Sequence, residues 1–202
     1  MSAQSSTLVV TGYGSQIVRE LARLIGNVEI KRMIAPNIEG HEADRFLFCA
    51  GLLQGRRIND NGLSSNSWIV NFKAVASACD RILDNNQNAR ICVIGSESGI
   101  VGSYDMAYAG AKAALHMYVE NKRVPYRGQQ IVCVAPNIIA DAGMTTRRRD
   151  LDRLKERAER HPKGRFCTSV EVARAIRFLL YEDLGYINNV VIRMNGGEHA
   201  RK

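Results

Sequence analysis

The sequence predicts an α/β fold: a three-layer, doubly wound parallel sheet in one domain, residues 1–202. Two patterns predict it. Short apolar runs rich in β-branched residues recur along the chain, and most end in glycine or a turn cluster. Helix-period apolar stripes lie between several of them. Near-continuous apolar strands are buried on both faces, and the alternating helices are what cover them. Composition sets the scale. With 202 residues, 46% hydrophobic and 24% charged, the chain can bury one sizeable core and is not disordered. No apolar stretch reaches the roughly 18 residues of a membrane span.

The elements follow in order. Thr7–Thr11 is the first strand and runs into Thr11-Gly12-Tyr13-Gly14-Ser15-Gln16. A helix begins at about Ile17, with Ile17, Leu21 and Leu24 on one face. Val28–Ile34 is the second strand and carries Lys31-Arg32 near its end; Arg45–Cys49 is the next. Trp68, Phe72, Val75, Cys79 and Ile82 stripe a long helix. Ala89–Gly95 is a strand leading into Ser96-Glu97-Ser98-Gly99, and a helix with Tyr108 near its start follows. Gln130–Ala135 is a strand, Pro162-Lys163-Gly164 breaks a basic helix, Val172, Ile176 and Leu179/Leu180 mark the last helix, and Asn189–Met194 the last strand.

Charge and cysteines narrow the function classes. Met1–Ser6 lacks a basic segment followed by an apolar one, so a cytoplasmic protein is expected. Cys49, Cys79, Cys92, Cys133 and Cys167 are scattered, with no C-x-x-C pair and no Cys/His cluster at zinc spacing; reduced thiols and no metal are expected. Of the net charge of +8, an excess of +5 lies within Arg147–Arg165, nine Lys/Arg against Asp150, Asp152, Glu156 and Glu159. A solvated helix face accounts for it, with pairs such as Glu156 and Arg160. So does an electropositive rim for an anionic ligand. Nucleic acid is disfavoured, because no aromatic platform is interleaved with the basic residues.

Two motifs carry chemistry. A glycine-bearing turn between the first strand and first helix is where such a sheet binds a dinucleotide: backbone amides and the helix N-terminus meet the pyrophosphate. A plain strand-to-helix turn uses the same residues. After the second strand, an acidic residue would suit the ribose 2′-hydroxyl of NAD and a basic one the 2′-phosphate of NADP, so Lys31 and Arg32 lean toward NADP. The second motif is Ser96 followed by Tyr108 and Lys112, whose i,i+4 spacing places phenol and ammonium on one helix face. Tyr-x-x-x-Lys is cheap by itself, and Tyr118 with Lys122 repeats it beside Glu120 and Arg123, where it reads as structural.

Taken together these residues resemble the short-chain dehydrogenase/reductases. Thr11-Gly12-x-Gly14 is similar to the family's glycine turn, Cys49-Ala50-Gly51 to its Asn-Asn-Ala-Gly, and Val70-Asn71 to its helix Asn. Ser96, Tyr108 and Lys112 match its Ser, Tyr and Lys; Pro136-Asn137 stands for its Pro-Gly and Asn195-Gly196-Gly197 for its terminal Asp-Gly-Gly. The resemblance implies a Rossmann-like sheet and hydride transfer between a nicotinamide cofactor, NADP(H) before NAD(H), and a carbonyl or alcohol. It implies Tyr108 as acid/base, Lys112 lowering its pKa and holding the nicotinamide ribose, Ser96 bonding the reacting oxygen, and Asn71 holding a water behind Lys112. The cofactor would lie along Gly12, Tyr13, Gly14, Ser15, Gln16 and Ile17, on Lys31 and Arg32, across Cys49, Ala50 and Gly51, and against Pro136, Asn137 and Ile139. A homodimer or homotetramer pairing the helices of Asn71 and Tyr108 is implied, with residues 137–165 as substrate lid. His116, four residues after Lys112, is by itself read as a partly buried structural histidine rather than a ligand or base.

The sequence also departs from the family. Phe48 and Cys49 replace the two Asn, Asp141 a usual Thr, and the glycine turn is abbreviated. Only Met33 to Arg45 separates the second strand from the family's fourth, too little for a helix, a strand and another helix, so the third-strand region is expected to be reduced or missing. That leaves a second reading open: a cofactor-sensing or scaffold protein on the same fold with little turnover.

Overall fold

The structure, a computed structural model, describes residues 7–39, 43–53 and 65–200. One sheet holds β1 (Thr7–Thr11), β2 (Glu29–Arg32), β3 (Arg45–Phe48), β4 (Arg90–Ile94), β5 (Gln130–Pro136) and β6 (Val190–Met194). Its order is β2-β1-β3-β4-β5-β6, and every pairing is parallel. The order turns back on itself at β1, which makes the sheet doubly wound and opens a crevice at the strand C-termini between β1 and β3.

Helices α1 (Gln16–Ile25), α2 (Ser65–Trp68), α3 (Ala74–Asn85), α4 (Ser98–Val101), α5 (Met106–Asn121), α6 (Gly143–Thr146), α7 (Leu151–Arg160) and α8 (Ser169–Tyr181) complete the described chain. Strand residues alternate between faces. Leu8, Val10 and Leu47 pack with Leu21 of α1 and Ile176 of α8. Val9, Phe46 and Phe48 pack with Ile82 of α3 and Leu115 of α5. Burial on both sides is why these strands read as unbroken apolar runs. Thr168 caps α8 in a capping box with Glu171.

Two expectations are refined. The second strand is shorter than its apolar run: Met33 still donates to the Val10 carbonyl at 2.8 Å, but Ile34 turns to solvent. The striped helix is not uniform either. Ile69–Lys73 forms a π-helical segment between α2 and α3, which inserts a residue into the turn holding Asn71. Between β2 and β3 the described residues form neither strand nor helix, so β2 is the sheet edge. Four residues long and bearing Glu29, Lys31 and Arg32, it is a short, charged edge that resists pairing with another strand.

Candidate active site

The β1–α1 turn is locked against the end of β3. Thr11 Oγ1 accepts hydrogen bonds from the amides of Cys49 at 3.0 Å and Ala50 at 3.1 Å. Gly12 has φ +67°, and a Cβ there would lie 2.7 Å from the Ala50 nitrogen, so only glycine fits. Ser15 caps α1, its Oγ accepting from the Val18 amide at 3.2 Å. Gly14 faces open space. Gln16 and Ile17, the first residues of α1, present the helix N-terminus to a cleft of about 1200 Å³.

That cleft gathers most of the predicted residues. Gly12, Tyr13, Gly14, Ser15, Gln16 and Ile17 line one end with Arg32. Cys49, Ala50 and Gly51 form its middle, and Ser96, Tyr108, Lys112, Pro136, Asn137 and Ile139 its far end. Two predicted residues are outside the lining. Lys31 alternates to the other side of β2 and pairs with Glu29 at 3.6 Å. Asn71 is fully buried behind the wall, and its amide is spent on the backbone: Nδ2 donates to Leu52 O and Ser67 O at 2.8 Å, and Oδ1 accepts from Leu52 N at 3.1 Å. Its side chain clamps the loop after β3.

At the far end, Asp105 caps α5 by accepting from the Tyr108 amide at 2.9 Å, which fixes the first turn of the helix. Tyr108 is nearly buried; burial raises its phenol pKa, a hydrogen bond with Ser96 lowers it, and Asp105 raises it. Lys112 lies one turn on, its Nζ 5.8 Å from the Tyr108 ring centre and donating to Ile94 O at 2.6 Å. Only 3% of it is exposed, and burial pulls its pKa down to about 8. Ser96 Oγ accepts from the Ser98 amide at 3.2 Å. The phenol, hydroxyl and ammonium thus converge on one wall, an arrangement able to hold and move a proton at an oxygen bound between Tyr108 and Ser96. Tyr118, by contrast, donates to Asp80 at 2.5 Å outside the cleft.

On the substrate side of the cleft, the lining residues Met144, Arg147, Arg148 and Arg157 fall within the 137–165 segment that the sequence singled out, and Tyr104 is one residue it did not. Arg148 is held by Asp150 at 2.8 Å and Arg157 by Glu198 at 3.1 Å, whereas Arg147 forms no ion pair among the described residues. Next to Ser96 lies a buried carboxylate, Glu97. Burial would raise its pKa, but hydrogen bonds from Arg193 and Asn195 and the charge of Arg193 hold it below the usual range.

A family model described as enoyl-(acyl carrier protein) reductase matches residues 66–199. The chain belongs to the short-chain dehydrogenase/reductases. Among curated relatives, 2-(S)-hydroxypropyl-CoM dehydrogenase 3 of Xanthobacter autotrophicus is 28% identical over 168 residues, covering 69% of this chain and 66% of that one. The 3-oxoacyl-acyl-carrier-protein reductase of Escherichia coli is 32% identical over 126 residues, covering 61% and 51%. The chain therefore matches between half and two thirds of the length of these relatives. A third relative from Xanthobacter autotrophicus, 31% identical over 136 residues (64% of this chain and 59% of that one), is named as an inactive dehydrogenase. A short-chain dehydrogenase family protein from Francisella tularensis superposes with TM-score 0.82 at 17% identity, covering 98% of this chain and 100% of that one. Levodione reductase gives 0.79 at 19%, covering 99% and 100%. At these identities the likeness concerns the fold.

Proposed function

We propose that the chain is an oxidoreductase that interconverts a carbonyl and an alcohol with a nicotinamide dinucleotide. The observation that carries the reading is the convergence of Tyr108, Ser96 and Lys112 at one end of a cleft whose other end is a helix N-terminus. Bound there, the nicotinamide would supply or accept the hydride. The open turn at Gly14 and the amides of Gln16 and Ile17 suit a pyrophosphate. Arg32, with no acid among the described residues lining the cleft, suits a 2′-phosphate, which favours NADP(H) over NAD(H). Ser96 donates its hydroxyl to the substrate oxygen, Tyr108 gives or takes the proton, and Lys112 stabilises the phenolate. Asn71 positions the Leu52 loop. Residues 137–165 act as the substrate lid, and Arg147 on it, outside any ion pair among the described residues, favours a substrate with an anionic group.

Ile100, Val101, Met106 and Met117 expose apolar surface on α4 and α5, which supports self-association as a dimer or tetramer. No described helix is long and apolar enough to cross a membrane. Five free cysteines support a cytoplasmic placement. The thin region between β2 and β3 favours a second reading, a dinucleotide sensor without turnover. Titrating the protein with NADPH and NADH, then assaying Tyr108→Phe, separates the two. An enzyme loses turnover at least about 1000-fold in that variant while keeping its dinucleotide affinity. A wild type that binds dinucleotide but turns over no carbonyl in a broad panel is the sensor.

A further inference from the structure

The backbone of Ser96, in the β4–α4 loop, is held to α5 by the side chain of His116. Gly95 donates its amide to Val134 O and Glu97 to Pro136 O, both on the β5 side. Along a strand successive amides alternate in direction, so Ser96 turns toward β3. But β3 ends at Phe48, opposite Val93, and offers it no carbonyl. A buried amide without an acceptor is costly. Here the acceptor is His116 Nε2, 3.3 Å from the Ser96 nitrogen.

The fit is close on every side. His116 is 5% exposed, two turns along α5 from Tyr108 and one from Lys112. A Cβ on Gly95 would lie 2.3 Å from its Nε2, and a Cβ on Gly99 would lie 2.8 Å from its Cε1. The two glycines let the loop close over the ring. Nε2 can accept only when it carries no proton, so the ring is the neutral Nδ1–H tautomer. Burial and the neighbouring Lys112 ammonium keep it so, with a pKa of about 4.

We propose that His116 is a positioning residue that holds the Ser96 amide and, through it, the Ser96 hydroxyl against the Tyr108 phenol. The Ser98 amide already donates to Ser96 Oγ. With that lone pair engaged and the backbone fixed by His116, the hydroxyl proton is left for Tyr108 or the substrate oxygen. The inference rests on the oxidoreductase reading for its effect on rate, though not for the hydrogen bond itself.

His116→Leu removes the acceptor, and His116→Gln returns one at similar reach. His116→Leu is expected to lower kcat about 10- to 100-fold, the equivalent of one orphaned amide and a misplaced donor. KM and dinucleotide affinity should change less than about threefold, and His116→Gln should recover most of the loss. In a Ser96→Ala background, His116→Leu should cost little more, because its effect passes through Ser96. Amide hydrogen exchange in the cofactor-free protein reads the bond directly: Ser96 should be protected in wild type and His116→Gln, and exchange at least about tenfold faster in His116→Leu. Full additivity with Ser96→Ala, or unchanged Ser96 protection in a folded His116→Leu, overturns the proposal. If the wild type turns over no carbonyl, the oxidoreductase reading fails and the exchange measurement decides this one.

Discussion

Lys112→Met is the perturbation that bears most directly on the proposed acid/base. The ammonium lies 5.8 Å from the centre of the Tyr108 ring, and both residues are buried. At an effective dielectric of about 20, a charge at that range changes the cost of forming phenolate by about 3 kcal/mol, or about 2 pKa units. Burial opposes both charges: it raises Tyr108 above its ordinary 10.0 and lowers Lys112 to about 8. The pair therefore loses its first proton near pH 8, chiefly from Lys112, and the smaller population that has lost it from Tyr108 instead follows the same pH dependence. Alcohol oxidation needs the base form, so kcat/KM should rise through that pH and level above it. With methionine at 112 the phenol titrates alone, and the rise should move above 10. The assay is kcat/KM for alcohol oxidation from about pH 6 to about 11, with dinucleotide affinity measured alongside and Lys112→Arg as the charge-retaining control. A rise in Lys112→Met that stays within about half a unit of wild type refutes the coupling.

Three further outcomes are expected. Lys112→Met should also stabilise the fold. Its lysine titrates near 8 when folded and near about 10.4 when unfolded, so the buried charge costs most below pH 8, and the cost fades as pH climbs through that window because the unfolded chain then binds more protons. Urea unfolding should show a gain of up to about 3 kcal/mol near neutrality that closes above about pH 10. Gly12→Ala should lose about 1–3 kcal/mol and dinucleotide binding with it, since the new Cβ meets the Cys49–Ala50 backbone at a positive φ; a thermal melt and a dinucleotide titration check both. Arg32→Ala should weaken NADPH about tenfold and leave NADH unchanged, and equal effects on the two would remove Arg32 from 2′-phosphate recognition.

The parallel sheet was legible because its strands are buried on both faces and say so in their composition; β1 and β5 have no exposed residue at all. The grouping of Tyr108, Lys112 and Ser96 on one wall was legible because Tyr108 and Lys112 share one helix and Ser96 leaves one strand, so local spacing carries the geometry. What depends on distant chain was not. Asn71 was placed correctly on its helix, but that its amide would be consumed by Leu52 follows from a π turn and a loop 19 residues earlier. Lys31 and Arg32 are adjacent, and nothing in their order tells which faces the cleft until the strand's register against β1 is known. The partner of His116 is 20 residues away on another element, and the signal available in sequence was only the pair of glycines around Ser96.

The two Tyr-x-x-x-Lys motifs on α5 show how little the spacing decides. Tyr118 and Lys122 share an acid: Asp80 accepts from the phenol at 2.5 Å and pairs with the ammonium at 2.7 Å. A carboxylate there stabilises the cation and opposes phenolate formation, so burial and Asp80 push the Tyr118 pKa up and leave it a donor. Near Tyr108 the acid is Asp105, which raises its pKa while accepting from the helix backbone, and no ion pair on Lys112 is found among the described residues. The lysine is buried on a backbone carbonyl at a cost to folding, with its Nζ 5.8 Å from the centre of the Tyr108 ring. An apolar residue at 112 would give a more stable core. A position that costs stability and lines the cleft is better accounted for by chemistry than by packing, and that asymmetry between two identical spacings, ten residues apart, is the strongest argument that Tyr108 is the working phenol.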